Sequence, residues 1–132
     1  MKIHHIGIIV RNIQEHFKKH IKVILPHVSL GETTTDPLQQ VKVAFIPIDG
    51  GQFELVEPLS ESSPVMALLS SNTSGFHHVC FEVQNLDEKI TQLKSEGVII
   101  VSPPKPAAAF DGRKIAFVLT RDKLLWELLE CP

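Results

Sequence analysis

Four side chains of metal-binding type recur in two matched pairs, His5 with His78 and Glu54 with Glu127, each pair 73 residues apart. Taken singly, each histidine reads as a satisfied sheet residue and each glutamate as a solvated strand carboxylate. Taken together, one shared offset implies a pseudo-twofold axis that gathers two imidazoles and two carboxylates. Such a set suits one divalent ion, zinc, cobalt, nickel, manganese or iron, and leaves room for two further oxygen ligands. Open positions point to catalysis. A metal there polarises a carbonyl and stabilises the enolate formed when the neighbouring carbon loses its proton, and the carboxylates beside it can move that proton. Glu127 stands between Leu125 and Leu129, where an ionised carboxylate is costly unless it is paired.

The pairs belong to a longer repeat. The stretch from His4 to Glu15 returns without gaps from His77 to Glu88, and Glu54-Leu55-Val56-Glu57 returns as Glu127-Leu128-Leu129-Glu130. Lys42-Val43-Ala44-Phe45 returns as Lys114-Ile115-Ala116-Phe117 one residue out of step, so a residue was gained or lost in the hairpin that follows. Self-similarity at one offset means a single structural unit used twice. Residues 1–59 form module one, 60–74 a linker and 75–132 module two.

The elements that must position the four residues follow from apolar periodicity. Residues 3–10 alternate as a strand, with His4, Ile6, Ile8 and Val10 on one face and His5, Gly7 and Ile9 on the other. In the second copy His78 lies with Cys80, while His77, Val79, Phe81 and Val83 face a helix. Asn12 with Glu15 forms a capping box, after which Ile13, Phe17, His20, Ile21 and Ile24 recur at helical spacing until Pro26. Residues 28–40 predict a short strand at most, then a loop. Strands over 40–48 and 52–57 flank Asp49-Gly50-Gly51, a tight-hairpin signal. Pro64 opens an apolar turn of helix over 65–69, before Ser70-Ser71-Asn72.

Module two repeats the plan. A helix runs from the Asn85 cap through Leu86, Ile90 and Leu93 to Gly97, followed by strands over 98–101, 113–120 and 124–131. Its proline-rich segment 102–112 cannot be a central strand and reads as a loop over a pocket mouth. Each module is βαβββ, and the fold class is α+β.

Composition narrows the partners. At 132 residues and a formal charge of −2, without a basic block or a long apolar run, the chain is expected to bind neither nucleic acid nor membrane. Met1-Lys2 leads straight into a strand, which points to the cytoplasm. Cys80 and Cys131 are too few for a disulfide framework and read as reduced thiols. His4 and His77 read as packing residues, and Lys18, Lys19 and Lys22 as a solvated helix face.

The residues quoted above resemble the vicinal oxygen chelate superfamily, which includes glyoxalase I, methylmalonyl-CoA epimerase, extradiol dioxygenases and bleomycin-resistance proteins. Within it, His4–Val10, Glu54-Leu55-Val56-Glu57-Pro58-Leu59 with Ser63-Pro64, Gly75–Val83 and Trp126-Glu127-Leu128 are most similar to the methylmalonyl-CoA epimerases. The resemblance implies two tandem βαβββ modules forming an incomplete mixed β-barrel around a central metal site. It implies His5, Glu54, His78 and Glu127 as metal ligands, Glu127 as a proton-transfer base, an acyl-CoA thioester as substrate and a homodimer. Where some members carry a second catalytic glutamate this chain has Val43, so Glu54 must serve as the other base in a two-base mechanism. Arg121–Leu125, the first helix and residues 107–112 also depart from the pattern, leaving the acyl group open. Two alternatives accompany this reading: a glyoxalase I-like lactoylglutathione lyase, and a metal-free small-molecule binder of the bleomycin-resistance type.

Overall fold

The computed structural model describes residues 2–69 and 74–132; positions 70–73 of the expected linker lie outside the described residues. Among the described residues there are eight strands: β1 (Lys2–Ile9), β2 (Thr34–Asp36), β3 (Val41–Ile48), β4 (Gly51–Pro58), β5 (Gly75–Val83), β6 (Ile99–Pro106), β7 (Lys114–Leu119) and β8 (Leu125–Glu130). Among the described residues two longer helices accompany them, besides short 3-10 turns over Met66–Leu69 and Ala108–Phe110. The first, α1, runs as Ile13–His16, a π-helical Phe17–Ile21 and Lys22–Ile24, and α2 spans Leu86–Ser95. The fold class is therefore α+β, as the repeat predicts. The chain divides into two compact units, Ile6–His77 and a second made of the residues up to His5 with His78–Pro132.

In the unit Ile6–His77 the strand order is β2-β3-β4-β1, with β1 parallel to β4 and the others antiparallel. The β3–β4 hairpin turns over Asp49 and Gly50, whose φ of 84° only glycine adopts without strain. Behind the sheet, Val10, Ile13, Phe17, Ala44, Ile46 and Leu55 form the core. The Asn12 side chain accepts from the Glu15 amide at 2.9 Å, and Glu57 Oε1 accepts from the Ile13 amide at 2.8 Å, so two orphan donors at the start of α1 are satisfied.

The other unit is built the same way, with order β5-β8-β7-β6, β5 parallel to β8, and the first half of β1 beside β5. Its core is Val83, Leu86, Ile90, Ala116, Val118 and Leu128, which corresponds position for position to the first core, with Ala116 and Val118 one residue out of step like the strand that carries them. The capping repeats too: Asn85 accepts from the Glu88 amide at 3.2 Å, and Glu130 faces the Leu86 amide at 3.4 Å. A duplicated sequence thus folds into a duplicated core.

Two expectations are corrected. The apolar stripe of α1 does not continue to Ile24, which is three-quarters exposed. The Lys22 amide bonds back five residues to the Phe17 carbonyl, and the extra residue in that turn rotates everything after Ile21 away from the core. The segment from 102 is also not a loop at its start: β6 continues through Pro106. It is the outermost strand of its unit's order and among the described residues pairs only with β7, through two register shifts, so prolines cost no ladder bonds on its open side. The irregular segment begins at Ala107 and makes a short 3-10 turn over Ala108–Phe110.

Candidate metal centre

β1 and β5 each bury every second residue at His5, Gly7 and Ile9, and at His78 and Cys80, because their other face turns toward the helices. On β8 the same alternation sends Leu128 into the core and Glu127 and Leu129 to the opposite face. Three of the expected ligands thereby converge. His5 Nε2 lies 3.0 Å from His78 Nε2 and 3.1 Å from Glu127 Oε2, and His78 Nε2 lies 2.7 Å from the same oxygen. The residues are 0%, 6% and 2% exposed.

Hydrogen bonds alone do not explain this triangle. A neutral imidazole nitrogen carries either one proton or one lone pair, so two facing Nε2 atoms cannot both donate to the carboxylate and also bond each other. One cation receiving a lone pair from each atom satisfies all three. Ligand atoms about 2.1 Å from a common ion and at right angles stand ~3.0 Å apart, against ~3.4 Å in a tetrahedron. The observed edges match the former, so the donor set fits a divalent ion with further open positions.

The surroundings favour the charge. Burial alone pushes the Glu127 carboxyl up, but the adjacent imidazoles of His5 and then His78 outweigh it and lower the group to about 2. It is ionised at neutral pH. The Phe110 ring stacks on His5 with centroids 5.8 Å apart, and Phe117 meets His78 edge-on at 5.4 Å, so apolar walls keep water from screening the cluster.

Glu54 belongs to the other unit. It is buried on β4, opposite Gly7 of β1 and Phe45 of β3, just as Glu127 stands opposite Phe117 of β7. Val43 shares the Phe45 face of β3, is buried, and pairs with Val56, so the place of the second carboxylate is apolar.

His4 packs against Phe110 and makes polar contacts beyond the expected packing role. Its Nδ1 lies 2.8 Å from His5 Nδ1 and its Nε2 3.9 Å from Glu82 Oε1. Burial and then the neighbouring His5 lower its pKa from the ordinary imidazole value. The signal available in the sequence was the doubled histidine in both copies. Phe110 was hidden inside the proline-rich segment, where no periodicity singles it out.

Residues 4–117 match the family model of the Glyoxalase/Bleomycin resistance protein/Dioxygenase superfamily. The chain belongs to that superfamily. Among its relatives, the uncharacterized protein YqjC of Bacillus subtilis is 32% identical over 131 residues, covering 98% of this chain and 91% of YqjC. The ethylmalonyl-CoA/methylmalonyl-CoA epimerase of Cereibacter sphaeroides is 26% identical over 122 residues, covering 92% and 90%. A variant methylmalonyl-CoA epimerase of Streptomyces coelicolor, solved in complex with 2-nitronate-propionyl-CoA, superposes with a TM-score of 0.83 at 25% identity, covering 98% of this chain and 96% of that one. The superfamily fold expected from the paired modules is thus the fold observed. Among the described residues, no helix is long and apolar enough to cross a membrane.

Proposed function

We propose that this superfamily member is a metal-dependent epimerase that moves the proton α to the carbonyl of an acyl-CoA thioester. The observation that carries the reading is the buried convergence of His5, His78 and Glu127, with epimerases among the relatives as support. In this proposal Glu54 completes the ligand set, because it is the repeat partner of Glu127 and is likewise a buried carboxylate facing a phenylalanine. A bound divalent ion would polarise the thioester carbonyl and lower the cost of enolate formation.

The chain's own residues supply the rest. Both contacts of Glu127 to the imidazoles run through Oε2, which leaves Oε1 as the oxygen to take or return a proton. Inverting a carbon centre needs proton transfer on two faces, and Val43 cannot take part, so the second transfer falls to Glu54. Phe110 and Phe117 keep the reacting groups dry.

In heavy water, deuterium should enter the α-position of a chiral 2-methyl acyl-CoA. Glu127→Gln and Glu54→Gln should each slow that exchange by about a hundredfold or more at saturating metal. Absence of exchange with any such thioester, together with turnover of a hemithioacetal, would move the assignment to the glyoxalase reaction. A chain that binds thioesters without metal and without turnover would make it a binding protein.

A further inference from the structure

We infer that His4 is a positioning residue, which together with Glu82 fixes the tautomer of His5 and aims its Nε2 at the metal. The inference rests on the metal-site reading above and extends it by one step of side chains. His5 presents two nitrogens to two different partners: Nε2 to the cluster with His78 and Glu127, and Nδ1 to His4 Nδ1 at 2.8 Å. A neutral imidazole that gives its Nε2 lone pair to an ion must carry its proton on Nδ1. That proton can then go to only one place in this contact, the bare Nδ1 of His4. His4 must in turn be protonated on Nε2, and that nitrogen faces the Glu82 carboxylate at 3.9 Å, whose negative field favours a proton there. The order is carboxylate, imidazole, imidazole, metal, an extension of the carboxylate–histidine pairs that orient ligands in many metal sites.

Packing holds the relay in place. The Phe110 ring lies edge-on to His4 at 5.3 Å and stacked on His5 at 5.8 Å, so one aromatic side chain sets the angle between the two imidazoles. Residues serving only as filler would not need their nitrogens aligned.

The test separates hydrogen bonding from packing. His4→Phe keeps an aromatic ring against Phe110 and removes the acceptor, whereas His4→Asn loses the ring and keeps a polar atom near the position of Nδ1. Cobalt or zinc affinity measured by chelator competition should fall about 10–100-fold in His4→Phe, the usual cost of losing an outer partner of a ligand, and stay within about threefold in His4→Asn. Unaltered affinity in His4→Phe, or an equal loss in His4→Asn, would overturn the inference. A second measurement needs no variant: nitrogen-15 spectra of the zinc-loaded protein should show His4 with its proton on Nε2 and His5 with its proton on Nδ1. A His4 protonated on Nδ1 instead would also overturn it. His78→Ala serves as the control for the underlying reading. If it binds metal as tightly as the unaltered chain, the site itself is wrong; if it loses metal while His4→Phe does not, only the relay fails.

Discussion

Two imidazole nitrogens and one carboxylate oxygen meet at 2.7–3.1 Å in a buried cluster, and this makes the individual proposed ligands directly testable. His78→Ala removes one corner of the triangle while leaving β5 paired with β8 along Val79–Val83. Its metal affinity should drop by more than about a hundredfold, beyond the 10–100-fold cost of an outer partner, with the far-ultraviolet circular dichroism unchanged. Full occupancy after dialysis would remove His78 from the site. The convergence of His5, His78 and Glu127 was readable because metal-binding side chains repeated at one offset stand out against a background of apolar strand residues. The approach of His4 to His5 was not, because strand alternation sends neighbouring side chains to opposite faces and so argues for packing. The contact between the two imidazoles depends on the rotation of both rings, which no pattern of residue types encodes.

Equivalent elements should behave equivalently, since the two cores are copies. Leu55 and Leu128 occupy corresponding places on β4 and β8, and each is buried among apolar residues at corresponding positions. Leu55→Ala and Leu128→Ala should each cost about 2–5 kcal/mol in urea unfolding, the range for removing a packed leucine side chain. A negligible cost at either place would break the equivalence. Strands and helix starts were legible from alternation and from the Asn-x-x-Glu caps, which act locally. The π-turn in α1 was not, because a 3.6-residue period carries no sign of where a helix will take in an extra residue. The proline run misled for a different reason: missing donors exclude an interior strand but are harmless on an edge, and edge position is a property of the sheet order.

At the scale of the whole molecule, sequence copies and packing bodies are different divisions. The repeat tells which residues are equivalent, whereas the compact units assign the first half of β1 to the body formed by His78–Pro132. His5 is where that matters most, because the proposed metal would tie it to His78 and Glu127, residues 73 and 122 positions away. Closing such long loops is entropically costly, so a ligand that holds them closed acts on the folded state alone. An ion at a hundred times its dissociation constant then stabilises the fold by about 2.7 kcal/mol. For a domain between the small and medium size classes this raises Tm by roughly 10 °C. Chelation should reverse the gain, and its effect should be local before it is global. Ile6–Ile9 are held in register with Phe53–Val56 of β4 by backbone pairing, whereas Lys2–His5 would lose the proposed anchor at His5. Hydrogen exchange with and without chelator should therefore show faster exchange at residues 2–5, with little change at 6–9. Uniform exchange along β1, together with the same Tm in chelator and in cobalt, would mean that no ion bridges these residues.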